Sequence, residues 1–142
     1  MLAPLCQAMR LSRIYETRPM YVADQPMYLN AVGEVRSRVP PRPFLEEIHR
    51  VEASLGRDRA RETRMGPRTI DIDILLCDSL VMDGDELAIP HPRITERLFV
   101  LVPLLELAPR LRDPRTGARY STWRAALARS DAPEGVYLYR AG

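Results

Sequence analysis

From Arg64 to Leu76 the chain reads Arg-Met-Gly-Pro-Arg-Thr-Ile-Asp-Ile-Asp-Ile-Leu-Leu, and no other stretch limits so strongly what can be built around it. Gly66 and Pro67 punctuate the chain. From Thr69 onward polar and apolar residues alternate with the period of two that marks a half-buried β-strand, so a strand is predicted there. Ile70, Ile72 and Ile74 then face a core, while Thr69, Asp71 and Asp73 face away from it. Two carboxylates thus share one face, their Cα atoms roughly 6–7 Å apart. The plain alternative is a surface strand with two solvated aspartates. But Asp is depleted in strands and like charges on one face repel, so this face calls for a cation opposite it. A hard divalent ion held by carboxylate oxygens, with a polyphosphate on its far side, meets that need. Arg64 and Arg68, just upstream, are candidate phosphate forks.

The rest of the composition narrows the chemistry. With 142 residues the chain fits one domain around one core. Hydrophobic residues at 46% and charged residues at 28% suit a globular protein, and no apolar run approaches the ~20 residues of a membrane span. A formal net charge of +2 is too small to imply a nucleic-acid partner by itself. There is no lysine: all 21 basic residues are arginine. That excludes a P-loop lysine and a Schiff-base lysine, and leaves phosphate chemistry to permanently charged guanidinium groups. Cys6 and Cys77 have neither metal-ligand spacing nor a secreted-domain pattern, and read as buried free thiols of a cytoplasmic protein.

In chain order, Leu2, Leu5, Cys6 and Met9 fall at helical spacing, with Pro4 in a first turn or a kink, which predicts the end of a helix. Leu11 to Thr17 reads as a strand, Arg18 to Pro26 as a loop, and Met27 to Val39 as a second strand that places Tyr28 and Asn30 on one face. Phe44 to Leu55 has a helical period with Gly56 as its cap, and Glu46, Glu47, Arg50 and Glu52 form its solvated face. Arg57 to Arg64 has four arginines and no large apolar side chain, so it reads as a mobile loop able to close over a polyphosphate. Asp78 to Glu86 is a turn-rich connection. In Pro90-His91-Pro92-Arg93 the prolines hold His91 out of any helix, and Arg93 and Arg97 could line one anion site with it. Phe99 to Leu107 is predicted to be a buried helix ending near Pro109. A Pro-Arg-Thr-Gly turn, a short helix around Trp123 to Leu127 and an edge strand at Val136 to Tyr139 complete the chain. Strands and helices mixed without strict βαβ alternation predict an α+β fold, an antiparallel sheet covered by helices.

The run from Arg64 to Leu75 resembles the signature of the 6-hydroxymethyl-7,8-dihydropterin pyrophosphokinases, folate-pathway enzymes that transfer pyrophosphate from ATP to a pterin alcohol. The likeness continues from Ile89 to Pro109 and, more loosely, from Ile14 to Asn30. It implies a ferredoxin-like arrangement and a magnesium-dependent diphosphotransferase that gives AMP and the pterin diphosphate. On this resemblance Asp71 and Asp73 hold two Mg2+ ions, and Arg57 and Arg68 are catalytic. Glu52, Arg59, Arg64, Ile74, His91 and Arg97 bind ATP; Thr17, Tyr28, Asn30 and Phe99 bind the pterin. The expected form is a cytoplasmic monomer without nucleic-acid or membrane partners.

The chain also departs from the family pattern. Met65 stands where the family usually has Trp, and Pro92 where an aromatic or polar residue is sometimes found. The family's first strand and Gly-Ser-Asn turn are not in the sequence, so residues 1–142 are expected to be a single domain incomplete at its amino terminus. Two other readings compete. One is a truncated remnant that binds nucleotide without catalysis. The other is an arginine-rich RNA-binding module, which would interleave aromatic residues with the basic ones. Aromatics are only 6% of the chain and none lies between Arg57 and Arg64.

Overall fold

The computed structural model describes residues 6–18, 28–55, 70–129 and 135–140. It opens with two antiparallel ladders, the first of them with a register shift between Ala8 and Arg10. Strand β1 (Cys6–Leu11) pairs with β4 (Gly33–Ser37), and β2 (Tyr15–Arg18) pairs with β3 (Tyr28–Asn30). Between the two ladders the Ser12 N–H donates to Val32 O at 2.8 Å, and the Val32 N–H donates to Ser12 Oγ at 2.9 Å. From there to the Tyr15–Asn30 pair the chain advances three residues on one side against two on the other, a bulge-like slip that splits the pairing into two sheets. On its outer edge β2 also takes β5 (Gly135–Leu138), giving the order β3-β2-β5.

The helix predicted across Leu2 to Met9 is not formed by its described part. Cys6 to Leu11 is strand β1, opened by Cys6 against Ser37 and reinforced by the Arg10 Nε–H donating to Glu34 Oε1 at 3.0 Å across the directly paired positions. Cross-strand partners decide such a segment, and a local period cannot see them. The predicted strand from Met27 to Val39 is broken in two by Ala31 and Val32.

Helix α1 (Pro41–Ser54) begins three residues earlier than predicted, because Pro at the first helical position is already preset for helix and its missing N–H is an orphan anyway. Helix α2 (Leu98–Leu107) keeps Pro103 inside its apolar run, and helix α3 (Tyr120–Ala128) extends the predicted short helix at both ends. Ile94, Leu101, Leu104, Leu105 and Tyr120 form the core, with Leu75, Leu76 and Trp123 among the residues packed on it. The Pro-Arg-Thr-Gly turn is built around Asp113. Its carboxylate accepts the Arg115 N–H at 2.9 Å and the Thr116 hydroxyl at 3.2 Å, and Gly117 follows with φ +77, where a side chain would be strained. The structure is α+β, with antiparallel sheets and three α-helices among the described residues. No helix there is long and apolar enough to cross a membrane.

Tyr120 gives this core a testable signature. It is 1% exposed, and burial, with the Asp113 carboxylate adding to it, pushes its phenol up to about 12 from 10.0. A group whose pKa is raised on folding stabilises fully below its unfolded value and loses that contribution as pH rises through its folded value. Between pH 9 and pH 12 the protein is therefore expected to lose roughly 2 kcal/mol more stability than a Tyr120→Phe variant. Urea unfolding of both proteins at the two pH values measures the difference. Equal losses would show that the phenol ionises as readily in the folded chain as in the unfolded one.

Candidate active site

Residues 70–74 keep the alternation that the sequence showed. Asp71 and Asp73 are exposed, while Ile70, Ile72 and Ile74 are half-buried. The predicted strand is nevertheless absent: residues 70–77 join no ladder among the described residues. Hydrogen bonds to other segments help to fasten the run. The Ile72 N–H donates to Glu52 Oε2 at 2.8 Å, and Leu75 O accepts the His91 N–H at 2.8 Å. Beyond them Leu75 and Leu76 pack on the core. Packing and these bonds help to set the faces, with no neighbouring strand among the described residues.

The second of these contacts brings His91 to the aspartates. Burial holds the half-buried imidazole below its usual range. Asp73 and, more weakly, Asp71 raise it, while Arg97 and Arg93 lower it. One ring therefore feels both carboxylates and both guanidiniums. His91 Nδ1 accepts the Arg93 N–H at 3.1 Å, so the proton of the neutral ring sits on Nε2. Arg93 and Arg97 flank a single 3-10 turn, Ile94–Glu96, which seats the buried Ile94 in the core. The Arg93 charge is partly offset by Glu96 at 3.4 Å. The Arg97 guanidinium lies 5.5 Å from the centre of the Phe99 ring, a cation–π contact that fixes one side chain on the other.

A second group of predicted residues meets on the three-stranded sheet. Thr17 is directly opposite Tyr28, and Tyr15 opposite Asn30, so all four side chains share one face. Thr17 is buried, and its Oγ1 accepts the Asn30 Nδ2–H at 2.9 Å, which turns the amide oxygen the other way. The Tyr28 ring is 54% exposed. Helix α2 packs against β2, β3 and β5, so the element that carries Phe99 adjoins the one that carries Tyr28.

Two features of the site were not foreseen. Glu52, placed by the sequence on a solvated face, is 1% exposed. The signal was there: Leu45, Ile48 and Glu52 fall at i, i+3 and i+7, one stripe of a helix. Glu106 is the other. It accepts the Tyr15 hydroxyl, the Arg13 N–H at 3.0 Å and the Arg13 Nε–H at 3.1 Å. The Tyr15 bond above all, with those from Arg13, holds the Glu106 carboxyl below the usual range, and burial foremost raises the Tyr15 phenol. Of the remaining predicted residues, Ile74 is half-buried within the aspartate run. Arg57, Arg59, Arg64 and Arg68 lie outside the described residues, as do Met65 and Thr69.

The α+β structure thus turns two carboxylates outward, and a backbone hydrogen bond ties their run to the segment that carries a histidine and two arginines. Residues 1–109 match the model of the 7,8-dihydro-6-hydroxymethylpterin-pyrophosphokinase family. A 2-amino-4-hydroxy-6-hydroxymethyldihydropteridine pyrophosphokinase of Methylorubrum extorquens is 42% identical over 122 residues, 86% of this chain and 72% of that protein. The enzyme of the same name from Bacillus subtilis is 42% identical over 109 residues, 77% of this chain and 64% of its own length. The folic acid synthesis protein fol1 of Pneumocystis carinii is 36% identical over 135 residues, 94% of this chain but 18% of that much longer protein. The chain belongs to the 7,8-dihydro-6-hydroxymethylpterin-pyrophosphokinase family.

Proposed function

We propose that the chain transfers pyrophosphate from ATP to 6-hydroxymethyl-7,8-dihydropterin in a magnesium-dependent reaction. The observation that carries this reading is the outward-facing pair Asp71 and Asp73, on a run that the His91 N–H to Leu75 O hydrogen bond joins to the segment carrying His91, Arg93 and Arg97. Family membership supplies the substrates.

The carboxylates fit the metal by their chemistry. Among the described residues no three metal-binding side chains gather. Mg2+ does not require that, since it is commonly held by one or two carboxylates together with substrate phosphates. When bound, it would draw charge from the phosphate oxygens and hold them in line for displacement. The pterin hydroxymethyl oxygen forms a bond to the β-phosphorus of ATP as the bond from that phosphorus to the bridging oxygen of the α-phosphate breaks, and AMP leaves with both electrons. The proton passes to water.

The side chains have separable tasks in this scheme. His91 donates from Nε2 to a phosphate oxygen, and Arg97 supplies a permanent charge whose position is kept by the Phe99 ring. Asn30, oriented by Thr17, offers an amide edge to the pterin, with the exposed Tyr28 ring beside it. The arginines at positions 57, 59, 64 and 68 take phosphate roles on the family resemblance alone. Binding and electrostatic positioning are sufficient for this class of transfer.

The test is to incubate purified protein with ATP, Mg2+ and the reduced pterin alcohol, and to follow AMP. AMP formed only when all three are present is the expected result. ATP binding without AMP would identify the nucleotide-binding remnant instead and overturn the reading.

A further inference from the structure

Glu52 is a carboxylate as deeply buried in α1 as Ile48, one turn earlier. A buried carboxylate is expensive unless strong hydrogen bonds compensate it. Here its Oε2 accepts a backbone N–H at 2.8 Å from a residue twenty positions away. That residue is Ile72, which stands between Asp71 and Asp73. A charge-assisted bond of this kind is about twice as strong as a neutral one. It falls where residues 70–77 have no strand ladder among the described residues.

We propose that Glu52 is a positioning residue for the aspartate pair: it clamps the backbone at Ile72 so that the carboxylates on either side stay turned outward together. The clamp does the work that a neighbouring strand does in a sheet. It also ties the metal-binding run to α1, the helix that leads into the arginine-rich stretch from Arg57 to Arg64. The link to metal binding rests on the proposed pyrophosphokinase reading. The clamp itself does not.

Two variants separate acceptor from charge and from bulk. Glu52→Met fills the buried space without an acceptor, and replacing a buried charge by a well-packed apolar group is often tolerated. Glu52→Gln keeps an oxygen that can accept the Ile72 N–H. The first measurement is amide hydrogen exchange in the ligand-free protein. Ile72 is expected to exchange on the order of tenfold faster in Glu52→Met, while Leu101 in the core is unchanged. Glu52→Gln should stay within a factor of about three of the parent, as an amide oxygen is a weaker acceptor than a carboxylate.

The second measurement is the affinity for ATP in the presence and absence of Mg2+. Glu52→Met should weaken Mg2+-dependent binding by about 10–100-fold, the usual effect of removing a group that orients a metal ligand, and Glu52→Gln should recover most of it. Unchanged Ile72 exchange in Glu52→Met overturns the clamp. So does a Gln variant as defective as the Met variant, which would mean that the charge acts directly on a ligand. If Glu52→Met does not fold, Glu52→Gln alone decides, since normal exchange and binding agree with the clamp and loss of either refutes it. A parent protein that releases no AMP overturns the pyrophosphokinase reading and leaves the exchange result standing.

Discussion

Asp71→Ala and Asp73→Ala are each expected to lower AMP formation by roughly 10²-fold or more, the scale on which single preorganised electrostatic groups act in transfer reactions. Each removes one of two carboxylates that face outward beside His91. On the proposed magnesium-dependent reading, the remaining carboxylate would not by itself hold the metal between protein and phosphates. Because both side chains are exposed and each change relieves like-charge repulsion, stability should move by only about 0.5 kcal/mol. The two readouts must therefore separate, with turnover collapsing and the urea midpoint nearly fixed. Near-normal turnover in either variant would remove that residue from the metal site.

Leu101→Ala should show the opposite pattern. Leu101 is 0% exposed and belongs to the cluster of Ile94, Leu104, Leu105 and Tyr120. Truncating a fully buried leucine costs about 2–5 kcal/mol, partly for lost transfer energy and partly for the cavity left behind. Against a typical total of about 5–15 kcal/mol this is a large share of the stability. The urea midpoint should fall steeply at unchanged m-value. Turnover per folded molecule should fall much less than in the aspartate variants, as Leu101 touches neither carboxylates nor phosphates. A loss under about 1 kcal/mol would mean that the neighbours close the gap.

The comparison of chain and structure shows which physical terms a single sequence carries. Asp71 and Asp73 were legible as a pair on one side because exposure follows the alternation of residue types, and that alternation survives without a ladder. That the run joins no ladder among the described residues was not legible, since strand pairing depends on what lies alongside. The same gap misplaced Cys6 to Met9, whose apolar spacing satisfies a helix but whose strand partners lie far along the chain, in Gly33 to Ser37. Helix α2 was readable almost to the residue, because an apolar run bounded by Arg97 and Pro109 leaves few alternatives. Glu52 was misread by type: a glutamate suggests solvent, yet its register with Leu45 and Ile48 points inward. Tyr28 and Asn30 were legible on one face from their spacing of two, but that Thr17 joins them needed the observed register, because a slip of one residue would have put it on the other face.

Glu106 stands near the far end of the helix whose first turns carry Arg97 and Phe99, and it holds Arg13 and Tyr15 at the mouth of β2. Helix α2 therefore joins two groups of residues: its start carries Phe99 under the Arg97 guanidinium, and its other end is bonded through Glu106 to the segment that opens the strand carrying Thr17. Loss of the Glu106 carboxylate would leave the Tyr15 hydroxyl and the Arg13 N–H without that acceptor.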